Sequence, residues 1–246
     1  MSKYIENPKT RGSGIICCIP HKGKCPNECE DCFFQSGRSY LEPLEDNLPN
    51  MPHFESTMGK VLRVNDGHDS SIDIDMVMEA TAGYCWKFYN TSIPSHLHRF
   101  DAPVVLTVNP GPMTDRSFHK LGLIPSNLMF VRVRTNSWNL GRVVDPVVAY
   151  YTSRHVPVIL TFMAYFGSPV LDGFICDYSI RKRTLNHYYA ITSDAWEMIM
   201  AKYRGNNLVY SCGIEGEKGT PLCMHCGNCL RTYFAAMERR RTCTTK

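Results

Sequence analysis

Ten residues near the N-terminus, Cys25-Pro26-Asn27-Glu28-Cys29-Glu30-Asp31-Cys32-Phe33-Phe34, carry three thiols at C-x3-C-x2-C spacing. Thiolates are the ligands that zinc and iron-sulfur clusters share. In a four-iron cluster, three protein thiolates leave one iron open to a substrate or cofactor, whereas a cluster closed by four cysteines mainly carries electrons. Zinc would need a fourth ligand, which His21 can supply. A second group stands near the C-terminus: Cys212, Cys223, Cys226 and Cys229, spaced C-x10-C-x2-C-x2-C. Four thiolates close an iron-sulfur cluster completely, or make a structural zinc site with or without His225. Cys243 is a weaker substitute for one of the four. Cys17, Cys18, Cys85 and Cys176 read as small buried hydrophobes.

The elements that must position these thiols follow from the apolar pattern. Six runs rich in β-branched and aromatic residues stand at 14–19, 60–65, 103–109, 128–135, 157–163 and 207–212. Their near-continuous apolar character, as in Val104-Val105-Leu106 and Val158-Ile159-Leu160, fits strands of a parallel sheet covered on its outer face. Helices are expected between them at 72–89, with Ser70 as N-cap and Asp73 three residues on, and at 141–154, 193–203 and 230–241. Strands alternating with helices predict an α/β fold, and six units predict a partial (β/α)6 TIM-like barrel with a C-terminal cysteine-rich extension. We therefore expect a barrel over 1–210 and a C-terminal segment over 211–246 packed on it. The stretches 37–59 and 166–186 are long connections of the kind that form lids, substrate walls or surface wrapping.

In parallel barrels the site lies at the carboxyl ends of the strands. The first strand runs straight into the three-cysteine loop. The second ends in Asn65-Asp66-Gly67-His68-Asp69-Ser70, which can also be a plain turn capping the next helix, and the third ends at Asn109 before Pro110-Gly111-Pro112. The fourth ends in Arg134-Thr135-Asn136-Ser137, with Arg132 and Arg134 sharing a face. On the lumen side they can meet a carboxylate; otherwise they face solvent or pair. The fifth strand ends near Tyr165, a wall or core residue or a contact to a ligand, and the sixth at Cys212.

The cysteine loop, placed after the first strand of such a barrel, resembles the signature of the radical S-adenosylmethionine (radical SAM) superfamily. In that superfamily an aromatic residue usually precedes the third cysteine; here Asp31 stands there, and Phe33 and Phe34 follow. The resemblance implies a 4Fe-4S cluster on Cys25, Cys29 and Cys32 whose open iron is chelated by S-adenosylmethionine. It also implies cofactor contacts from Asn65, Asp66, Gly67 and Asp69, in the place of a Gly-Gly-Glu motif, and from Asn109, Thr135, Asn136 and Tyr165. Thr135-Asn136-Ser137 is similar to the Thr-Asn-Gly that often closes a strand there. The C-terminal cysteines resemble the ligands of an auxiliary 4Fe-4S cluster. The implied activity is reductive cleavage of S-adenosylmethionine to a 5'-deoxyadenosyl radical that abstracts hydrogen from a substrate, with electrons from a flavodoxin- or ferredoxin-like donor.

The substrate expected is a small molecule or nucleoside-type group, with a nucleic-acid base as one form of it. Two other readings are a peptide-modifying maturase of the same superfamily, without an extra domain for a leader peptide, and a non-enzymatic zinc or iron-sulfur module. A net charge of +4 permits a nucleic-acid partner without demanding one, and Arg181-Lys182-Arg183 and Arg239-Arg240-Arg241 are short basic runs. With no apolar stretch long enough for a membrane span and no apolar core in Met1-Ser2-Lys3-Tyr4-Ile5-Glu6, the chain is expected in the cytoplasm. In such a chain of twelve cysteines, the seven that cluster point to metal rather than disulfides.

Overall fold

The computed structural model of the chain describes residues 3–30, 32–35, 37, 39–111, 120–166, 170–182, 187–212 and 222–244, the side chains of 242–244 excepted. In chain order the elements are strand β1 (Ile15–Cys18), helix α1 (Leu44–Asn47), β2 (Val61–Val64), α2 (Ile74–Ala80), β3 (Lys87–Thr91), β4 (Val104–Val108) and β5 (Leu128–Thr135). They continue with α3 (Asp145–Thr152), β6 (Val158–Phe162), β7 (Ala164–Tyr165), β8 (Tyr178–Lys182), β9 (His187–Ile191), α4 (Ser193–Ala201), β10 (Val209–Ser211), α5 (Cys223–Cys226) and α6 (Asn228–Thr244). Seven parallel strands in the order β1-β2-β3-β4-β5-β6-β10 curl into a half-barrel, the α/β class expected.

All six expected strands are present, and Lys87–Thr91 is a seventh. It starts inside the stretch expected to be helical over 72–89, whose helical part is only seven residues, capped by Asp73, not Ser70. The Asp73 carboxylate accepts from Met76 N at 3.1 Å. Beyond Thr81 the spacing of Tyr84 and Phe88 imitates a helical face, but Phe88 and Tyr89 point to opposite sides of the sheet, as a strand requires. The long connection at 166–186 contributes to a small antiparallel sheet, β7-β9-β8.

Alternation along the strands divides the core in two. Ile16, Cys18, Leu62, Val64, Leu106, Val131, Val133 and Leu160 face outward against Val77, Val147, Tyr151 and Ile199 of the helices. Ile15, Cys17, Val61, Phe88, Val105, Phe130 and Ile159 face inward, and α6 lays Tyr233 and Ala236 on them as a floor. Burial of these side chains, about 1.5–3 kcal/mol each, is what fixes α6 inside the curl. The next inward residues along the strands are polar: Arg63, Asn90, Thr107, Arg132 and Thr161. Beyond them, at the carboxyl ends, come Asn65, Asn109 and Arg134. No helix among the described residues is long and apolar enough to cross a membrane.

Candidate metal centres

The three-cysteine loop is fastened over the carboxyl ends of four strands. Arg134 of β5 donates from Nη1 to the Glu30 carbonyl at 3.0 Å and to Asn109 Oδ1 at 2.6 Å. Asn109 in turn hydrogen-bonds the Cys29 thiol. Gln35 Nε2 donates to the Cys25 carbonyl at 2.6 Å, closing the loop on itself. On the other side Asn27 Nδ2 donates to Asp69 Oδ2 at 2.9 Å. Phe34 sits in an apolar cluster with Ile19, Leu41, Leu44 and Leu48, its ring directly against Gly67. A Cβ on Gly67 would lie 1.9 Å from a ring carbon, so only glycine fits beneath that ring.

The residues expected to touch a cofactor divide into two groups. Asn109 meets Cys29, and Gly67 and Asp69 meet the cysteine loop, but by supporting it. Asp69 is buried and accepts five hydrogen bonds, from Ser71 N, Thr91 Oγ1, Asn27 Nδ2, Ser92 N and Ser92 Oγ, at 2.6–2.9 Å. Asn65, in the left-handed region at φ 58°, spends its amide on His21 and Ser70. Asp66 accepts from Asn7 at 2.7 Å and from Tyr40 at 3.2 Å. Thr135 bonds the Val133 carbonyl, facing away from the lumen. Asn136 braces the turn through Trp138 N, Asn139 N and the Tyr165 hydroxyl, the last at 2.9 Å. Tyr165 is fully buried among Trp138 and Tyr178. Asp31 lies outside the described residues.

Burial raises the Cys25 thiol to about 11, with Asp69, Cys29 and Cys32 adding to the rise against a lowering backbone hydrogen bond at Asn27. Burial also raises Cys29, opposed by the Asn109 hydrogen bond and the Arg134 guanidinium. Cys32 adds to the rise of both Cys25 and Cys29, as thiols of one loop would. His21, the alternative zinc ligand, stacks on His68 with ring centroids 3.8 Å apart. Its Nδ1 faces Asn65 Oδ1 at 3.3 Å, and its buried Nε2 has no hydrogen-bond partner.

The C-terminal thiols come together from separate elements. Cys212 directly follows β10, its N–H bonded to Leu160 O at 2.8 Å, and its thiol hydrogen-bonds that of Cys226. That bond, then burial, raises the Cys212 thiol well above its ordinary value. Cys223 opens the short α5, its N–H bonded to Lys9 O at 2.9 Å. After α5, Gly227 turns the chain at φ 63°, and Asn228 starts α6 while holding the Ser211 carbonyl at 2.6 Å. Cys212 and Cys229 pack against the inward core of the barrel. His225 is exposed, and the Cys243 side chain lies outside the described residues.

Among the described residues no three Cys, His, Asp or Glu side chains stand close enough to hold a single metal ion. A zinc with sulfurs at about 2.3 Å would draw its ligands into such a knot. A cluster of several irons is larger and takes its thiolates further apart. Sequence reasoning missed Asn27, Gln35 and Arg63; the visible signal was Arg63, a lone charge inside the apolar run Val61-Leu62-Arg63-Val64. Comparison of the chain with family models, curated proteins and solved structures finds no match.

Proposed function

We propose that the protein is a radical SAM enzyme. The observation that carries this reading is the three-thiol loop at the carboxyl end of β1, held over the mouth of a parallel half-barrel by Arg134, Asn109, Asn27 and Phe34. Cys25, Cys29 and Cys32 would hold a four-iron cluster with one open iron, and Cys212, Cys223, Cys226 and Cys229 a second, closed one. When bound with S-adenosylmethionine, the first supplies reductive carbon-sulfur cleavage and a 5'-deoxyadenosyl radical. The chain's own work is positional. Arg134 and Asn109 keep the Cys29 side of the loop over the lumen, and Arg134 favours thiolate there through its charge. Asp69 locks the β2 and β3 ends beneath Asn27, so the loop cannot lift without breaking a buried carboxylate network. The α6 floor closes the lower end of the lumen, and Trp138, Tyr165 and Tyr178 form a separate aromatic cluster beyond β6.

A small-molecule or nucleoside-type substrate fits a lumen closed below by α6. The terminal basic run favours nucleic acid less, because Arg239 and Arg240 are bonded to the Leu128 and Asp101 carbonyls at 3.2 and 2.9 Å. Anaerobic reconstitution followed by metal, sulfide and product analysis tests the proposal. We expect about eight irons with matching sulfide, and 5'-deoxyadenosine from S-adenosylmethionine once a flavodoxin, a ferredoxin or dithionite supplies electrons. A colourless protein that binds only zinc and leaves S-adenosylmethionine intact overturns it.

A further inference from the structure

Two guanidiniums lie inside the half-barrel outside any ion pair among the described residues, Arg63 with only the carboxylate charge of Asp66 in its surroundings. Arg63 of β2 shares the inward side with Cys17, its register partner on β1. Its Nε is buried and has no hydrogen-bond partner. Arg132 of β5 reaches across β4 to β3, where its Nη1 donates to Asn90 Oδ1 at 3.1 Å. Neither forms an ion pair among the described residues. Asp66, whose oxygens accept from Asn7 and Tyr40, favours the Arg63 charge through space without a direct ion pair, and Arg132 has no such carboxylate among them. The two guanidiniums are close enough to repel each other. An uncompensated buried charge costs several kcal/mol, and two like charges cost more.

The groups that become anions beside them on binding a metal are the C-terminal thiols. Arg132 stands level with Ile159 on β6, which stands level with Tyr210 on β10; Cys212 is the next residue on that side of the sheet. Arg132 feels the charge of Cys229, Cys212 and Cys223, and Arg63 that of Cys17, Asp66, Cys229 and Cys223. Four thiolates on a zinc ion or on an oxidised four-iron core carry a net charge of about minus two. Two enclosed guanidiniums match it. The three-cysteine loop has a different neighbour, Arg134, which is committed to the Glu30 carbonyl and Asn109.

We propose that Arg63 and Arg132 are the counter-charges of the group held by Cys212, Cys223, Cys226 and Cys229, retaining it in the barrel and, where it is a cluster, favouring its uptake of one electron. This rests on the proposed metal role of those cysteines, and the readouts separate the two claims. Positive charge beside a cluster stabilises the extra negative charge of reduction, so its midpoint potential rises.

The test uses the full chain with Cys25, Cys29 and Cys32 changed to Ala, so that only the second site is read. Into it are placed Arg63→Met, Arg132→Met and the charge-keeping Arg132→Lys, each checked for folding by circular dichroism. Loss of metal to a chelator should be tenfold or more faster in the two Met proteins and within threefold of the parent in the Lys protein. With dithionite as reductant, the midpoint potential should fall in the Met proteins and stay in the Lys protein. Folded Met proteins that retain metal and potential like the parent overturn the counter-charge role. Zinc in place of iron, still lost faster from the Met proteins, upholds it while removing the second cluster from the proposed function. A parent that binds no metal at this site overturns both. Two independent Met positions keep the test decisive should one of them fail to fold.

Discussion

The two cysteine sites use the same ligand and are held in opposite ways. The N-terminal three sit on a loop whose backbone carbonyls are gripped by Arg134 and Gln35 and whose ring, Phe34, is pressed on Gly67. The C-terminal four are gathered by a strand end, a turn of helix and the start of α6, and two enclosed arginines face them. On the proposed reading the first site is fixed in geometry and one ligand short, and the second is complete in ligands and balanced in charge. Precise placement suits a site that must aim a reactive atom, whereas charge balance suits one that stores or passes an electron.

The largest effect that can break this comparison is on metal content. Changing Cys25, Cys29 and Cys32 together to Ala should remove about half the iron, roughly four of eight atoms, and leave the C-terminal share in place. Loss of all iron from a folded variant would show the two sites to be one unit. Next in size is Asp69→Ala, which strands the donors of Asn27, Ser71, Thr91 and Ser92. We expect a cost of roughly 3 to 5 kcal/mol, read by denaturant unfolding, with faster metal loss from the first site than from the second. Unchanged stability would mean that the carboxylate does not bind the loop to the strand ends.

Gly67→Ala is expected to cost roughly 1 to 3 kcal/mol, because the new Cβ must push the Phe34 ring out of its apolar cluster. Pairing it with Phe34→Leu should recover part of that loss; no recovery would place the strain elsewhere. The smallest effect concerns acid. Burial, then the neighbouring His21, lowers His68 from 6.5 to about 4. The unfolded chain therefore binds the proton first, and stability present above about pH 6.5 falls as the pH drops toward 4. Between pH 7 and pH 5 this should amount to roughly 1 to 2 kcal/mol, and His68→Leu should flatten the slope. An unaltered slope in that variant would acquit the histidine pair.

The sequence made the barrel legible because its buried parallel strands are apolar on both faces, as at Val104-Val105-Leu106. It hid β3, since Tyr84 and Phe88 fall four apart and only the pairing of Arg63 with Phe88 reveals a strand there. The cysteines announced themselves by spacing. Their supports did not, because Arg134, Asn109, Asp69 and Asn27 come from distant strands and meet only when the sheet curls. Arg63 was visible as a charge in an apolar run, but its opposition to Cys223 and Cys229 depends on where α6 lies.

One side-by-side measurement goes to the central claim: 5'-deoxyadenosine formation from S-adenosylmethionine by anaerobic, reduced, folded Cys29→Ala and Cys226→Ala proteins. The account expects none from Cys29→Ala, and from Cys226→Ala lowered iron with residual product in the absence of substrate turnover. Product at the unsubstituted level from Cys29→Ala, or its complete loss in Cys226→Ala alone, would contradict the division of labour between the two sites.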